Sequence, residues 1–160
     1  MCTTSPVRPY KVYFEHRPHS LYARITSDQI SYEIARGYWS EILSMLHKRR
    51  YERIFVQKEI PTGLEAHDLY RIASELAHTV CGGIRIALFD LFYDRDRCTF
   101  EETVATNRGL QLKIGDDPVG LQEWLLFSAI PMPRQRFPLI PHGHSAEHLW
   151  RSLPSENGLR

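Results

Sequence analysis

The stretch from Arg53 to Val80 constrains the fold of this chain more than any other part of its sequence. Residues 53–60 form a short apolar run that ends at Pro61, and Thr62-Gly63 then opens a segment with apolar residues at helical spacing. A strand, a sharp turn and an amphipathic helix form the unit from which parallel α/β sheets are built. Such a turn places a helix start at the carboxyl end of a strand, where open α/β sheets usually bind their ligands.

The rest of the chain predicts a single-domain α/β fold with a mixed sheet of about five strands and helices packed on it. Two runs rich in aromatic and β-branched residues, four residues apart, predict an N-terminal β-hairpin. Alternation in residues 110–114 predicts an edge strand. The predicted elements are strands 10–16 and 21–26, a helix from Ser27 or Asp28 to about Arg50, strand 53–60, helix 64–80, strand 84–91, a helix from Thr99 to about 108, strand 110–114, and a helix opened by Asp117 and Pro118.

The two ends of the chain differ from this central domain, which we place at residues 10–127. Residues 1–9 are small, polar and proline-bearing, which predicts a flexible lead-in. Residues 128–160 are rich in proline, which predicts an extended arm with a short terminal helix. Its apolar side chains, among them Phe137 and Trp150, must pack on this domain or on another chain. We therefore expect a possible homodimer contact through the arm.

Composition excludes several classes of function. The chain has 160 residues with 20 basic and 19 acidic side chains, so it lacks the positive charge typical of nucleic-acid binding. No apolar run reaches the roughly 20 residues that span a bilayer. Cys2, Cys81 and Cys98 have neither metal nor redox spacing and are interpreted as free thiols. We expect a cytoplasmic protein with no membrane span and no nucleic-acid partner.

Two blocks of residues resemble a known superfamily. They are the strand end Ile60-Pro61-Thr62-Gly63-Leu64 and the later block Phe-Glu-Glu-Thr-Val-Ala-Thr-Asn-Arg-Gly at 100–109. Together with the element order, they resemble the STAS-like or SpoIIAA-like superfamily, and more closely small uncharacterised bacterial proteins of that fold. The resemblance covers residues 10–127. It implies that the strand-to-helix turn is a docking surface for another protein.

The resemblance also bears on regulation. In STAS proteins the docking surface is often switched by phosphorylation of a serine in an Asp-Ser-Ser-Gly-Leu-like motif. Here Gly63-Leu64 matches the end of that motif, Thr62 stands for the second serine, and Pro61 occupies the place of the phosphorylated serine. The resemblance therefore implies the docking surface without the usual phosphorylation site. Modification of Thr62 is a separate hypothesis, because a phosphate there would lie at the positive end of the helix dipole.

Thr62 and Thr99 each begin a Thr-x-x-Glu pattern, with Glu65 and Glu102 as the fourth residues. This pattern predicts a capping box, in which the threonine hydroxyl and the glutamate satisfy backbone N–H groups at a helix start. Capping alone explains both threonines. The functional alternative is that the backbone N–H groups near Thr62 face an anionic ligand or a carboxylate of a partner.

Two further patterns have both a structural and a chemical explanation. His142, His144 and His148 resemble a metal-binding tract, yet no Asp or Cys completes a ligand set, so a solvated tail is favoured. Glu59 and His67 flank the turn, and Glu–His pairs perform acid–base chemistry. Since no nucleophile elbow or phosphate loop accompanies this pair, surface charge is the favoured explanation.

The sequence thus predicts a non-catalytic binding or regulatory module without cofactor or metal. It docks a partner protein, or a small anionic or lipid ligand, at the turn between strand and helix. The alternatives are an enzyme with an acid–base site near Glu59, Thr62 and His67, and a structural module that self-assembles. The predicted binding residues are Glu59, Pro61, Thr62, Gly63, Leu64 and His67.

Overall fold

A computed structural model describes residues 7–80 and 83–127 of the chain. Their elements follow the predicted order β-β-α-β-α-β-α-β-α, and the predicted α/β class is confirmed. The elements are β1 (Lys11–His16), β2 (Leu21–Thr26), α1 (Tyr32–Arg49), β3 (Arg53–Glu59), α2 (Ala66–Val80), β4 (Arg85–Asp90), α3 (Arg95–Asn107), β5 (Gln111–Gly115) and α4 (Pro118–Phe127).

The five strands form one mixed sheet in the order β1-β2-β3-β4-β5. β1 and β2 pair antiparallel as the predicted hairpin, and the remaining neighbours pair in parallel. Within residues 7–80 and 83–127, β5 is an edge strand, as its alternating sequence predicts. The carboxyl ends of β2, β3 and β4 consequently lie at the same edge of the sheet.

The two faces of the sheet are covered differently. The larger core lies on the face that carries α1, α2 and α3, and it includes Ile54, Val56 and Trp39. On the opposite face α4 packs against β3, β4 and β5, where Leu121 and Leu125 are buried. Phe127, at the end of α4, has 81% of its surface exposed and is not part of this core.

Helix α1 begins later than predicted. Ser31 is its N-cap, and the Ser31 hydroxyl accepts a hydrogen bond from the N–H of Ile34. Ser27, one of the two predicted caps, instead donates from its hydroxyl to backbone carbonyls of Pro9 and Gln29, both at 2.7 Å. The sequence offers several capping side chains in a row, and contact with the N-terminal segment determines which one caps.

Helix α3 begins earlier than predicted. Asp94 is its N-cap, with its carboxylate accepting from the N–H of Arg97 at 2.8 Å, so Thr99 lies inside the helix. The predicted capping box at Thr99 is therefore wrong. Its glutamate, Glu102, instead accepts a hydrogen bond from the N–H of Ile114 at 2.9 Å and so ties α3 to β5.

The remaining helix ends agree with the sequence. The carboxylate of Asp117 accepts from the N–H of Val119 at 3.0 Å, which caps α4 as predicted. Gly109, just after the end of α3, has a φ of +87°, a left-handed conformation that glycine adopts readily. None of the helices in residues 7–80 and 83–127 is long and apolar enough to cross a membrane. The predicted arm at 128–160, including its three histidines, lies outside the described residues, as do Cys2 and Cys81.

Candidate functional site

The turn between β3 and α2 has a different local structure from the one predicted. Helix α2 begins at Ala66 rather than at Leu64, so the predicted capping box of Thr62 and Glu65 is wrong. The Thr62 hydroxyl accepts a hydrogen bond from the N–H of Ile30 at 3.0 Å. This bond joins the turn to the segment that leads into α1, so Thr62 fixes the position of the turn rather than the start of α2.

Glu59, at the end of β3, is an ion-pair partner. Its carboxylate accepts two hydrogen bonds from the Arg24 guanidinium, at 2.7 and 3.0 Å, and one from the Gln57 amide at 2.7 Å. The hydrogen bond from Arg24 is the main reason that the pKa of Glu59 is lowered below its usual value. Glu59 is therefore ionised at neutral pH, which does not suit a general acid.

Lys58, one residue earlier, points to the opposite face of the sheet because side chains alternate along a strand. It is buried, and its ammonium lies 3.2 Å from a carboxylate oxygen of Asp90, at the end of the neighbouring strand β4. Arg97 of α3 lies 3.1 Å from the same Asp90 oxygen, and Glu101 lies 4.0 Å from Lys58. Lys58, Asp90 and Glu101 are buried, and the Arg97 side chain is 22% exposed. We call these four residues the buried charge cluster.

The buried charge cluster fixes the loop that follows β4. The second carboxylate oxygen of Asp90 accepts from the N–H of Phe92 at 2.9 Å, and the Arg97 guanidinium donates to the Phe92 carbonyl at 2.6 Å. The loop exposes three large apolar side chains: Leu91 by 46%, Phe92 by 48% and Tyr93 by 36%. We call these three residues the apolar loop. Asp90 and Arg97 thus hold the backbone of the apolar loop in place, while its three side chains face outwards.

Gly63 brings the β3–α2 turn against the same cluster. A Cβ atom placed on Gly63 would lie 2.5 Å from the Cδ of Arg97, which is closer than such atoms approach. The glycine is therefore needed for close packing rather than for an unusual backbone angle. Through this contact the position of the turn depends on Arg97, and Arg97 also holds the apolar loop.

An open cleft lies at this carboxyl edge of the sheet and has a volume of about 610 Å³. Glu59 and Pro61 contribute to its lining, as do Leu91 and Phe92 of the apolar loop. The remaining lining comes from residues 7–11 and 26–28. We call it the carboxyl-edge cleft. It lies where open α/β sheets commonly bind their ligands.

A second, more enclosed cavity of about 60 Å³ lies on the face of the sheet that carries the main core. Its walls are mostly apolar, with Leu64 of the turn among them, and Lys58 and Glu101 are its charged members. Tyr38 also lines it, and burial followed by the charge of Glu101 raises the pKa of that hydroxyl. Since one water needs about 10–15 Å³, the cavity has room for a few waters or a small part of a ligand.

Cys98 lies beside the buried charge cluster, with its sulfur 3.8 Å from an Asp90 oxygen. Burial is the main reason that the pKa of the Cys98 thiol is raised. Since the thiolate is the reactive form, Cys98 remains an unreactive thiol at neutral pH. Among residues 7–80 and 83–127, no group of three or more His, Cys, Asp or Glu is placed to hold a metal ion.

The predicted binding residues therefore separate in the structure. Pro61, Thr62 and His67 are exposed, Glu59 lines the carboxyl-edge cleft, and Leu64 faces inwards to the cavity. Sequence reasoning missed the buried charge cluster and the apolar loop. A signal was present, because Lys58 and Asp90 each interrupt an apolar strand at its carboxyl end, and such ends meet at one edge of a parallel sheet.

Comparison with known proteins does not identify a function for this chain. No protein-family model matches the chain, and no curated protein matches it. One similar solved structure is an uncharacterised protein of the DUF3478 family with a SpoIIAA-like fold, from Shewanella loihica. The two chains are 13% identical with a TM-score of 0.49, and the match covers 78% of this chain and 99% of the other.

Proposed function

We propose that this protein is a non-catalytic binding module that docks a partner protein at the carboxyl-edge cleft. The observation that carries the proposal is the apolar loop, in which three consecutive large apolar side chains are exposed on a backbone fixed by buried charges. Clustered exposed apolar side chains in a protein mark interaction surfaces. Aromatic residues in particular supply much of the energy at such contacts.

The fixed backbone of the loop favours binding energetically. Association loses affinity when loops must be ordered, so a loop already held in place binds with a smaller entropic loss. Asp90 and Arg97 hold the loop in one conformation, because each forms a hydrogen bond with the backbone of Phe92. Neither bond involves the Phe92 ring, which stays available for contact with a partner. The sequence-predicted residues Glu59 and Pro61 form another part of the same cleft.

Charged residues around the cleft indicate the chemistry of the partner segment. Arg8, Lys11, Asp28 and Glu59 contribute both signs of charge, while Leu91 and Phe92 contribute apolar surface. This combination suits a segment with an apolar centre and a mixed polar rim, as in ordinary protein interfaces. The lowered pKa of Glu59 and the raised pKa of Cys98 also support binding over acid–base or nucleophilic catalysis.

A capture experiment with matched variants tests the proposal. The double variant Leu91→Ser/Phe92→Ser removes the exposed apolar groups, and Val119→Ser is a control because Val119 on α4 is 66% exposed. We expect one protein to be retained from cell extract by the native chain and by the control, and to be lost with the double variant. That protein, once purified, should bind the native chain in titration calorimetry with a defined stoichiometry. Equal retention by all three chains would contradict the proposal.

A second candidate function is binding of a small lipid or other anionic apolar ligand in the enclosed cavity. The observation in its favour is the combination of mainly apolar walls with the Lys58 ammonium. The cavity is much smaller than the roughly 300–1,000 Å³ of typical ligand pockets, so the β3–α2 turn would have to open. Native mass spectrometry with medium-chain fatty acids tests this function, and Leu64→Trp, which fills the cavity, should abolish the adduct. An adduct that Leu64→Trp does not affect would place the ligand elsewhere.

A further inference from the structure

Strand β1 forms an outer edge of the sheet in the part of the chain that the structure describes. Lys11, Tyr13 and Glu15 lie on one face of this strand because side chains alternate. All three are exposed, Tyr13 by 60%. Val12 and Phe14 lie on the other face, where they are half-buried against the main core.

The backbone hydrogen bonds show which groups of β1 face outwards. The N–H of Ser27 donates to the carbonyl of Glu59 at 3.3 Å, so the odd-numbered residues of β2 bond towards β3 and the even-numbered ones bond towards β1. Tyr13 is paired with Arg24 and therefore bonds towards β2. The N–H of Arg17, which donates to the carbonyl of Ser20 at 3.1 Å, follows the same alternation. The N–H and C=O groups of Val12 and Phe14 consequently point away from β2.

We propose that β1 pairs antiparallel with β1 of a second copy of this chain, across a two-fold axis at Tyr13. Alternation of the faces allows three central registers, with Val12, Tyr13 or Phe14 on the axis. Only the register centred on Tyr13 places Lys11 opposite Glu15 of the second copy, and it does so twice by symmetry. Opposite charges directly across a strand pair are favourable, whereas like charges are not. The charges of β1 therefore select one register.

The register centred on Tyr13 also pairs apolar side chains on the other face of β1. Val12 then lies opposite Phe14 of the second copy, which extends the apolar layer of each core across the axis. The self-pairing is isologous, with the same surface used by both copies, as in most two-fold dimers. Charges on edge strands commonly prevent pairing, but here the two signs are placed so that a second copy complements them.

The opposite edge of the sheet lacks this property. β5 has five residues, and its outward-alternating positions Gln111, Lys113 and Gly115 include a single charge. An antiparallel copy would place Lys113 opposite another Lys113 or opposite an uncharged residue. Of the two sheet edges in the described part of the chain, β1 alone therefore carries complementary charges. Lys11 also lines the carboxyl-edge cleft, but the self-pairing requires no partner in that cleft.

Charge exchange tests the inference, with sedimentation velocity over a range of protein concentrations as the measurement. We expect a reversible dimer of the native chain, and a dissociation constant raised by about tenfold or more in Lys11→Glu and in Glu15→Lys, because each creates two like-charge contacts. The double variant Lys11→Glu/Glu15→Lys should restore dimerisation. Lys113→Glu, with the same change of charge at the other edge, should leave it unchanged.

Cross-linking tests the register directly. In a chain with Cys2 and Cys81 replaced by Ser, Tyr13→Cys should form a disulfide-linked dimer on mild oxidation, since the Cβ atoms of opposed residues lie about 4.5–5.5 Å apart. Glu15→Cys in the same background should not, because it lies opposite Lys11. Three results would each overturn the inference. The native chain stays monomeric, the dissociation constant is unchanged by the single charge changes, or the double variant does not restore dimerisation. Unchanged melting temperatures of the variants would show that the fold is intact.

Discussion

Lys58 and Glu59 are adjacent in the chain, yet their ion pairs lie in opposite environments. Lys58 pairs with Asp90 where the two side chains are 4% and 0% exposed, at a distance of 3.2 Å. Glu59 pairs with Arg24 at 2.7 Å, but the Arg24 side chain is 51% exposed. The alternation of a β-strand alone sends these neighbouring charges to the core and to the open face.

The difference shows what each pair contributes. Around Glu59 and Arg24, water can replace either partner, so the pair contributes little to stability and depends on salt. The Lys58 and Asp90 side chains are 4% and 0% exposed, so bulk water does not replace a lost partner and removal of one charge leaves the other poorly satisfied. The buried pair therefore acts mainly by specifying one arrangement of β3, β4 and the apolar loop. The predictions below follow from this contrast.

The largest effect is expected for Asp90→Ala. Asp90 accepts from Lys58, Arg97 and the Phe92 N–H, so its removal leaves Lys58 and this N–H without an acceptor and takes one of two acceptors from Arg97. Loss of one partner of a buried pair costs about 3–5 kcal/mol of unfolding free energy. Urea denaturation at neutral pH measures it. A loss below about 1 kcal/mol would show that water reaches the cluster, and that the Lys58–Asp90 pair behaves like an exposed ion pair.

A smaller effect is expected for Lys58→Met. Asp90 retains the hydrogen bond from Arg97 at 3.1 Å, and Met fills much of the volume of the lysine stem. We expect a loss of about 2–3 kcal/mol in the same urea experiment, within the range for a broken charged hydrogen bond. Lys113→Met, at an exposed position on β5, is the matched control and should change stability by less than about 0.5 kcal/mol. Equal losses in the two variants would contradict the prediction.

Gly63→Ala tests the contact between the turn and the cluster. The added methyl group must displace Arg97, which is held by Asp90 and by the Phe92 carbonyl. Forced overpacking of this kind costs about 1 kcal/mol or more. In an Arg97→Ala background the same substitution should cost almost nothing, and a double-mutant cycle of urea midpoints measures the coupling. Additive losses would show that Gly63 and Arg97 act independently.

The smallest effect is expected for Arg24→Ala, and it should appear as a change in pH dependence. Arg24 lowers the pKa of Glu59 in the folded state, so the pair stabilises the protein above the ordinary glutamate pKa of about 4.3 and this contribution is lost as pH falls further. The native chain should therefore lose its advantage over the variant on acidification, and added salt should reduce the difference at neutral pH. Thermal unfolding at several pH values measures both. A difference that persists at low pH would exclude Glu59 as its source.

Strand positions were predicted better than helix starts. Strand ends differ from the prediction by about one residue, because long apolar runs bounded by polar residues have few alternative readings. Three helices start at a different residue from the one predicted, and in each case a predicted capping side chain bonds to a distant backbone group instead. The Ser27 hydroxyl donates to the Pro9 carbonyl. The Thr62 hydroxyl accepts from the Ile30 N–H, and the Glu102 carboxylate accepts from the Ile114 N–H. A local capping pattern cannot show that its hydroxyl or carboxylate is used at long range.

The candidate site was predicted only in part, because it also depends on contacts between distant residues. The segment 60–67 was placed at the carboxyl end of β3 from its pattern alone, and Glu59 and Pro61 do line the cleft there. Of the apolar loop, only Leu91 was predicted, as the last residue of a strand, since nothing local distinguishes a buried Leu from an exposed one. Its exposure follows from Asp90 and Arg97, which turn the backbone outwards after β4.

Hydrophobic periodicity in the sequence is enough to predict the order of strands and helices, because it acts within a few residues and each element carries its own period. Packing of distant segments, in contrast, brings Lys58 to Asp90 and Gly63 to Arg97, and leaves Leu91 to Tyr93 outside the core. These contacts join residues that are about thirty positions apart, and their energies depend on the exclusion of water. That exclusion is a property of the packed sheet and helices and not of any segment alone.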